Sequence, residues 1–322
     1  MMQEPKLGTV AASETLIQDL YIELRAKIHQ WSLLTQQTPQ ARMGYVGQHL
    51  VSVVTGYPGS RSGARGRDLI ISNNDYGEIK TCYRVDQLGE CSSCHAPVSS
   101  IEDKCPVCGS DALIRKDDSK WLISIRNDDE FKQILDPLYY FLVLFEFDDV
   151  QQSADIIASI WKVNPKQIGF AYCMIDYYLT IRAKSKSKAP FNLWPYSLKF
   201  EIMKPELIYR AIIARDDVIK TVRFPGRDQP KIEPISDLVE HSRSTNLDPS
   251  RLKSLAKRLT MSVTGPSNMK SMMTQLETER RKRPIADSDL ADALARELYL
   301  PRIEKEKSNI PRVIRSIFDE LS

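Results

Sequence analysis

Residues 63–85 read GARGRDLIISNNDYGEIKTCYRV, and the interpretation of the whole chain turns on them. Asn73, Asn74 and Asp75 are turn formers, since short polar side chains bond their own backbone and tolerate bends. They separate two runs with strand character, DLIIS (68–72) and GEIKTCYRV (77–85). Side chains alternate along a strand, so Glu78 and Lys80 share one face and Ile79 takes the other. A hairpin with this turn carries Asp68 towards that same face. Two carboxylates and a lysine gathered there have a definite use. Asp68 and Glu78, with the Ile79 backbone carbonyl as a further oxygen donor, suit Mg2+, a hard cation. Such a metal neutralises a phosphodiester and lowers the pKa of a bound water. Lys80 would orient that water or stabilise charge growing on phosphate.

Immediately upstream lies YPGSRSGARGR (57–67), a glycine-rich loop with Arg61, Arg65 and Arg67. Small residues permit close backbone approach, and guanidinium groups favour phosphate. The alternative is an ordinary solvated loop. Further upstream, Leu16, Leu20, Leu24, Ile28 and Trp31 recur at helical spacing over residues 13–37, with Ser13 as the expected cap. A second helix is expected from about residue 40 to 54, ending at Gly56.

Downstream, residues 86–116 contain two Cys-x-x-Cys pairs, Cys91/Cys94 and Cys105/Cys108, with ten residues between the pairs. Each pair lets one tight knuckle offer two thiolates to adjacent corners of a tetrahedron. Four thiolates leave no open position, so the expectation is a structural Zn2+. His95 is a bystander in this reading, and Cys82 and Cys173 are small buried side chains.

Core strands are expected at SKWLISI (119–125) and YYFLVLFEF (139–147). Residues 156–183 suit helix and strand alike. SLKFEIM (197–203) alternates as an antiparallel strand does, and ELIYRAII and KTVRF continue the β character. From about residue 236 the composition turns helical. Asp248 and Pro249 open one helix, and others are expected over 266–281, 288–298 and 311–321, with the basic RRKRP (280–284) between two of them. Glu146, Asp148 and Asp149 read as a solvated strand end, because no lysine stands at the matching offset. RAKSKSK (182–188) is a second basic stretch, whose Lys184, Lys186 and Lys188 could follow phosphates or simply be solvated.

The totals permit this. The chain has 322 residues, 42% hydrophobic and 27% charged, with a net charge of +3. That is globular composition with no global bias towards a polyanion. No apolar run approaches membrane-spanning length. The first residues, MMQEPKLGTVAASET, lack an export signal's pattern, and a cytoplasmic location is expected.

The order helix, glycine-rich loop, Asp68, nine residues, Glu78-Ile79-Lys80 resembles the PD-(D/E)xK nuclease core, with Arg67 where a proline usually stands. More narrowly, GYVGQHL, GARGRDL, GEIKTCYRVDQLGECSSC, SKWLISI, FNLWPY and LADALARELYLPRI resemble MamI-type type II restriction endonucleases. The resemblance implies an α/β (α+β) nuclease core over residues 1–235, with the zinc module inserted at 86–116, and a helical C-terminal subdomain over 236–322. It also implies a Mg2+-dependent, sequence-specific endonuclease on double-stranded DNA, homodimeric at a palindromic site, with a companion DNA methyltransferase. Asp68 and Glu78 would then be metal ligands and Lys80 the catalytic lysine. Some superfamily members add a helix-borne acid. Gln48 stands at that position here, either touching the metal through water or packing, and packing is the preferred expectation. Two alternatives stay open: a non-catalytic, zinc-containing DNA-binding regulator, and a repair or junction-resolving nuclease on the same core.

Overall fold

The computed structural model describes residues 5–37, 40, 43–61, 67–85, 87–99, 102–152, 155–186, 189–195, 197–223 and 287–321. Contacts divide the chain into two compact units. The first comprises residues 1–121, 139–162 and 206–228, and the second comprises 122–138, 163–205 and 229–322.

In the first unit, helix α1 (Val10–Leu16) runs through a π-helical turn (Ile17–Ile22) into α2 (Glu23–Thr35). Its cap is Thr9 and not the expected Ser13: the Thr9 hydroxyl accepts the Ala12 N–H at 3.2 Å, whereas Ser13 is buried inside the helix. Helix α3 (Gly44–Thr55) follows and closes on Gly56, whose N–H reaches the Ser52 carbonyl. Then come β1 (Leu69–Ile70) and β2 (Tyr76–Tyr83), paired antiparallel.

Three short strands, β3 (Gly89–Cys91), β4 (Pro97–Val98) and β5 (Leu113–Ile114), form a separate sheet in the order β4-β3-β5 around the four cysteines. After β6 (Trp121–Ile123) and α4 (Asp128–Leu135) the chain returns as β7 (Tyr139–Phe147), which lies parallel to β2 with Glu78 opposite Tyr140. A parallel pair needs such a long crossover, because no tight turn can reverse the direction twice.

Strand β8 (Ile156–Val163) resolves the first part of the ambiguous 156–183 stretch. With β9 (Phe191–Leu193) elsewhere, β10 (Glu206–Ile213) and β11 (Ile219–Arg223) complete a mixed six-stranded sheet in the order β1-β2-β7-β8-β10-β11. Residues 140–145 of β7 are all buried, as befits a central strand covered on both faces. One face packs Ile79, Phe141, Val143, Phe145, Ala158 and Ala211 against Ile17, Tyr21, Val46 and Leu50 of the helices.

In the second unit, β6 pairs with β9. Helix α5 (Ile168–Asp176) continues through a π-helical turn (Tyr177–Arg182) and packs against α7 (Asp287–Lys305), while α8 (Arg312–Leu321) lays Phe318 on Tyr172. The helix expected at 288–298 thus continues to Lys305 with Pro301 inside it. The strand expected at 197–203 is a single helical turn, α6 (Leu198–Glu201). The Ser197 hydroxyl accepts the Phe200 N–H at 3.3 Å, and this cap overrides the alternation. Phe200, Ile202 and Met203 are still buried. The helices expected around 248 and at 266–281, and RRKRP, lie outside the described residues. Among the described residues, no helix is long and apolar enough to cross a membrane.

Candidate active site

Hairpin register is what assembles the acidic residues. Leu69 pairs with Gly77 and Ile70 with Tyr76, so Asp68, one step outside the ladder, stands across from Glu78. The Ile79 N–H donates to Asp68 Oδ2 at 2.8 Å and fixes that carboxylate against β2. Lys80 Nζ bonds Glu78 Oε1. The structure therefore brings Asp68, Glu78 and Lys80 together on one side of the hairpin. Glu78 is almost wholly buried, and Lys80 is partly exposed.

This concentration of acid has an electrostatic signature. Burial, and next the Glu78 carboxylate, push the Asp68 carboxyl up to about 6, against the opposing pull of the Ile79 N–H and Lys80. A divalent cation bound by oxygens would relieve that repulsion. Carboxylate and carbonyl oxygens are the donors a hard ion prefers, so the residues present fit Mg2+.

Gln48 does more than pack, in contrast to the sequence expectation. Its Nε2 donates to Asp68 Oδ1 at 3.3 Å. The preceding residue makes this possible. A Cβ on Gly47 would lie 2.1 Å from Thr81 Oγ1, so only glycine lets α3 approach β2 this closely. Sequence spacing cannot show which face of α3 meets the hairpin. Within GYVGQ, Gly47 is the signal that marks the close approach.

The four cysteines form a second site. Cys91 and Cys108 lie 3.6 Å apart at sulfur, Cys94 and Cys105 3.5 Å, and all four sulfurs fall within 4.8 Å of one another. A tetrahedral Zn–S bond of about 2.3 Å places sulfurs about 3.8 Å apart, so the cluster fits zinc. The Cys108 and Val107 backbone N–H groups bring the Cys105 thiol below its usual range, while the neighbouring sulfurs hold the Cys94 thiol above its own. Gly109, at φ +74°, closes the second knuckle with its N–H on the Cys105 carbonyl at 2.9 Å. His95 is exposed and bonds Glu90 rather than a sulfur. Cys82 and Cys173 are buried, and burial pushes their thiols up to about 12 and about 11.

The basic candidates differ in their surroundings. Arg61 is exposed, and Arg67 lies over the Tyr76 ring at 4.9 Å. Lys186 is exposed, whereas Lys184 pairs with Glu306. Arg65 and Lys188 lie outside the described residues. Glu146 is not the solvated acid expected from sequence. It is largely buried and sits 3.8 Å from Arg84, which also faces Asp117.

The family model for the MamI restriction endonuclease matches residues 30–242, about two thirds of the chain. The chain belongs to the MamI restriction endonuclease family. The matched range includes Gln48, the hairpin and the four-cysteine cluster, while α7 and α8 lie beyond it. Membership in the MamI family places the chain among nucleases, hydrolases whose substrate is DNA. Neither a search of curated proteins nor one of solved structures finds a match.

Proposed function

We propose that the protein is a type II restriction endonuclease that hydrolyses phosphodiester bonds of double-stranded DNA at a specific, palindromic site, with Mg2+ at the hairpin. The observation that carries this reading is the convergence of Asp68, Glu78 and Lys80, two of them on β2 and one across from it. The arrangement of β1, β2 and the parallel β7 supports a PD-(D/E)xK core in the same way.

In this reading Asp68, Glu78 and the Ile79 carbonyl hold the metal, which supplies charge neutralisation at the phosphate and a more acidic water. The remaining work falls to the chain itself. The Ile79 N–H and Gln48 hold the Asp68 carboxylate in one orientation, so its oxygens need no rearrangement on binding. Lys80, partly exposed beside Glu78, turns its ammonium towards the scissile phosphate and stabilises negative charge as it develops. Arg61, Arg65 and Arg67, in the loop leading into Asp68, contact phosphates and set the backbone over the hairpin. The zinc cluster is structural. A two-fold DNA site is matched by a two-fold protein, with one hairpin for each strand, hence a homodimer. A cell containing such an enzyme needs a companion DNA methyltransferase to protect its own sites.

The test is digestion of plasmid DNA with purified protein, with and without Mg2+, beside Lys80→Ala. Discrete, Mg2+-dependent bands from the wild type, and a loss on the order of 10³-fold in the variant, are expected. A preference for branched DNA over intact duplex would replace this reading with a repair nuclease. Sequence-specific binding without cutting under any divalent metal would replace it with a regulator.

A further inference from the structure

Strand β2 carries one more side chain on the face of the acidic pair. Tyr76 opens the strand, two residues before Glu78 and four before Lys80. Side chains alternate along a strand, so all three share a face. Gly77, between the first two, looks the other way, and a Cβ there would meet Phe141 and Leu69 of the core. Neighbours on one face of a strand stand about 7 Å apart. Glu78 therefore lies midway between Lys80 and Tyr76, with Asp68 across from it.

The Tyr76 ring holds a cation of its own. The Arg67 guanidinium stands over it, 4.9 Å from the ring centroid. Arg67 is exposed, and among the described residues no carboxylate pairs with it. Lys80 differs, since Glu78 engages its ammonium. A ring attracts a guanidinium through its quadrupole and leaves the N–H donors open, whereas a carboxylate would occupy them.

We propose that Tyr76 is a positioning residue. Its ring holds Arg67 beside the acidic pair, so that the guanidinium grips the phosphate next to the one at the metal. The acids are then bracketed, with Lys80 on one side and Arg67 on the other. Two physical points favour this role. Arg67 directly precedes Asp68, whose carboxylate is fixed by the Ile79 N–H at 2.8 Å, so the backbone bearing the guanidinium is anchored at the site. An arginine loose in solvent loses much rotamer freedom when it binds a phosphate, and one already held on a ring loses less. The proposal rests on the endonuclease reading for the phosphate that is cut, and adds the residue that aims one arginine of the loop.

The test is the salt dependence of binding to a mixed-sequence DNA duplex, measured with the full chain and without divalent metal so that no strand is cut. Each phosphate neutralised contributes about 0.9 to the log–log slope. Arg67→Ala is expected to flatten the slope by about one. Tyr76→Leu, apolar but without a ring, should flatten it nearly as far, and Tyr76→Phe should retain it. Joining Arg67→Ala to Tyr76→Leu should weaken binding no further than Arg67→Ala alone, because the two act as one unit. A slope untouched by Tyr76→Leu, losses that simply add, or a phenylalanine variant as defective as leucine would overturn the proposal. Should the leucine variant misfold, phenylalanine is compared with a ring-fluorinated phenylalanine at position 76, which keeps the shape and weakens the ring's hold on a cation. Equal slopes for those two would likewise overturn it. Plasmid cutting with Mg2+ is read separately. There Tyr76→Leu should raise KM about fivefold, with the loss falling on KM rather than kcat, as when uniform binding is removed. A wild type that binds DNA but never cuts would end the nuclease reading, and the slopes would still decide for or against the pair. Normal cutting with slopes indifferent to position 76 would overturn the pair alone.

Discussion

The two candidate metal sites of the first unit are built on opposite principles. The cysteine cluster is local: its four sulfurs come from eighteen consecutive residues, and the knuckles that aim them are closed by their own backbone hydrogen bonds. The hairpin site is assembled. Asp68 arrives by strand register, Glu78 and Lys80 by alternation along β2, and Gln48 by a glycine that lets one helix lie close. Soft thiolates make one site a folding element in its own right. Hard oxygens crowded in a half-buried place make the other a source of repulsion held in check by the surrounding fold.

The sharpest way to break this contrast is to remove one sulfur. Cys105→Ser is expected to abolish stoichiometric zinc and cost several kcal/mol of stability, seen as a lowered unfolding midpoint. Retention of full zinc and stability would mean that the cluster is not the closed tetrahedral site its geometry describes.

A smaller effect separates the assembled site from its parts. Gln48→Ala removes one of the two groups that hold Asp68 and should slow cleavage about tenfold with little change in DNA affinity. Gln48→Glu, which adds a third carboxylate, should instead shift the Mg2+ concentration needed for half-maximal rate. Unchanged rate and metal dependence in both would make Gln48 a packing residue after all.

The smallest effect has the opposite sign. Asp68 titrates near 6 in the folded chain, above its usual 3.8. A raised carboxyl favours the protonated form in the fold. Its contribution to metal-free stability is therefore best below about pH 4 and is lost as pH rises through about 6. Asp68→Asn removes that charge and can still accept the Ile79 N–H. It should stabilise the metal-free protein by about 1 kcal/mol at pH 7, a figure reduced for solvent screening of a partly exposed group. Thermal unfolding at pH 4 and pH 7 is the measurement. A variant less stable than wild type at pH 7 would show that the carboxylates do not oppose the fold.

How much of this was legible in the sequence depended on how local the cause was. The bounds of β7 could be read off YYFLVLFEF, since a run of apolar and aromatic residues leaves little else. The hairpin turn was legible from three polar residues, and the cysteine cluster from spacing alone. Residues 197–203 were misread because alternation is a tertiary signal, while the Ser197 cap is a stronger local one. The α1–α2 stripe was legible as helical, yet spacing does not say which side meets the sheet. Much of what the sequence offers there, Leu20, Leu24 and Trp31, points outward. Gln48 was hidden for the same reason, because the contact belongs to the docking of α3 and not to α3 itself.

The parallel pairing of β2 with β7 has a kinetic consequence. Everything from residue 84 to residue 138 must be looped out before the central ladder can close. The cost of closing a loop grows with the logarithm of its length, so any tie within it shortens the effective chain and eases the search. The knuckles at Cys91 to Cys108 sit inside that excursion. A cation gripped there early would speed the nascent chain towards its central ladder, quite apart from what it adds to the finished structure.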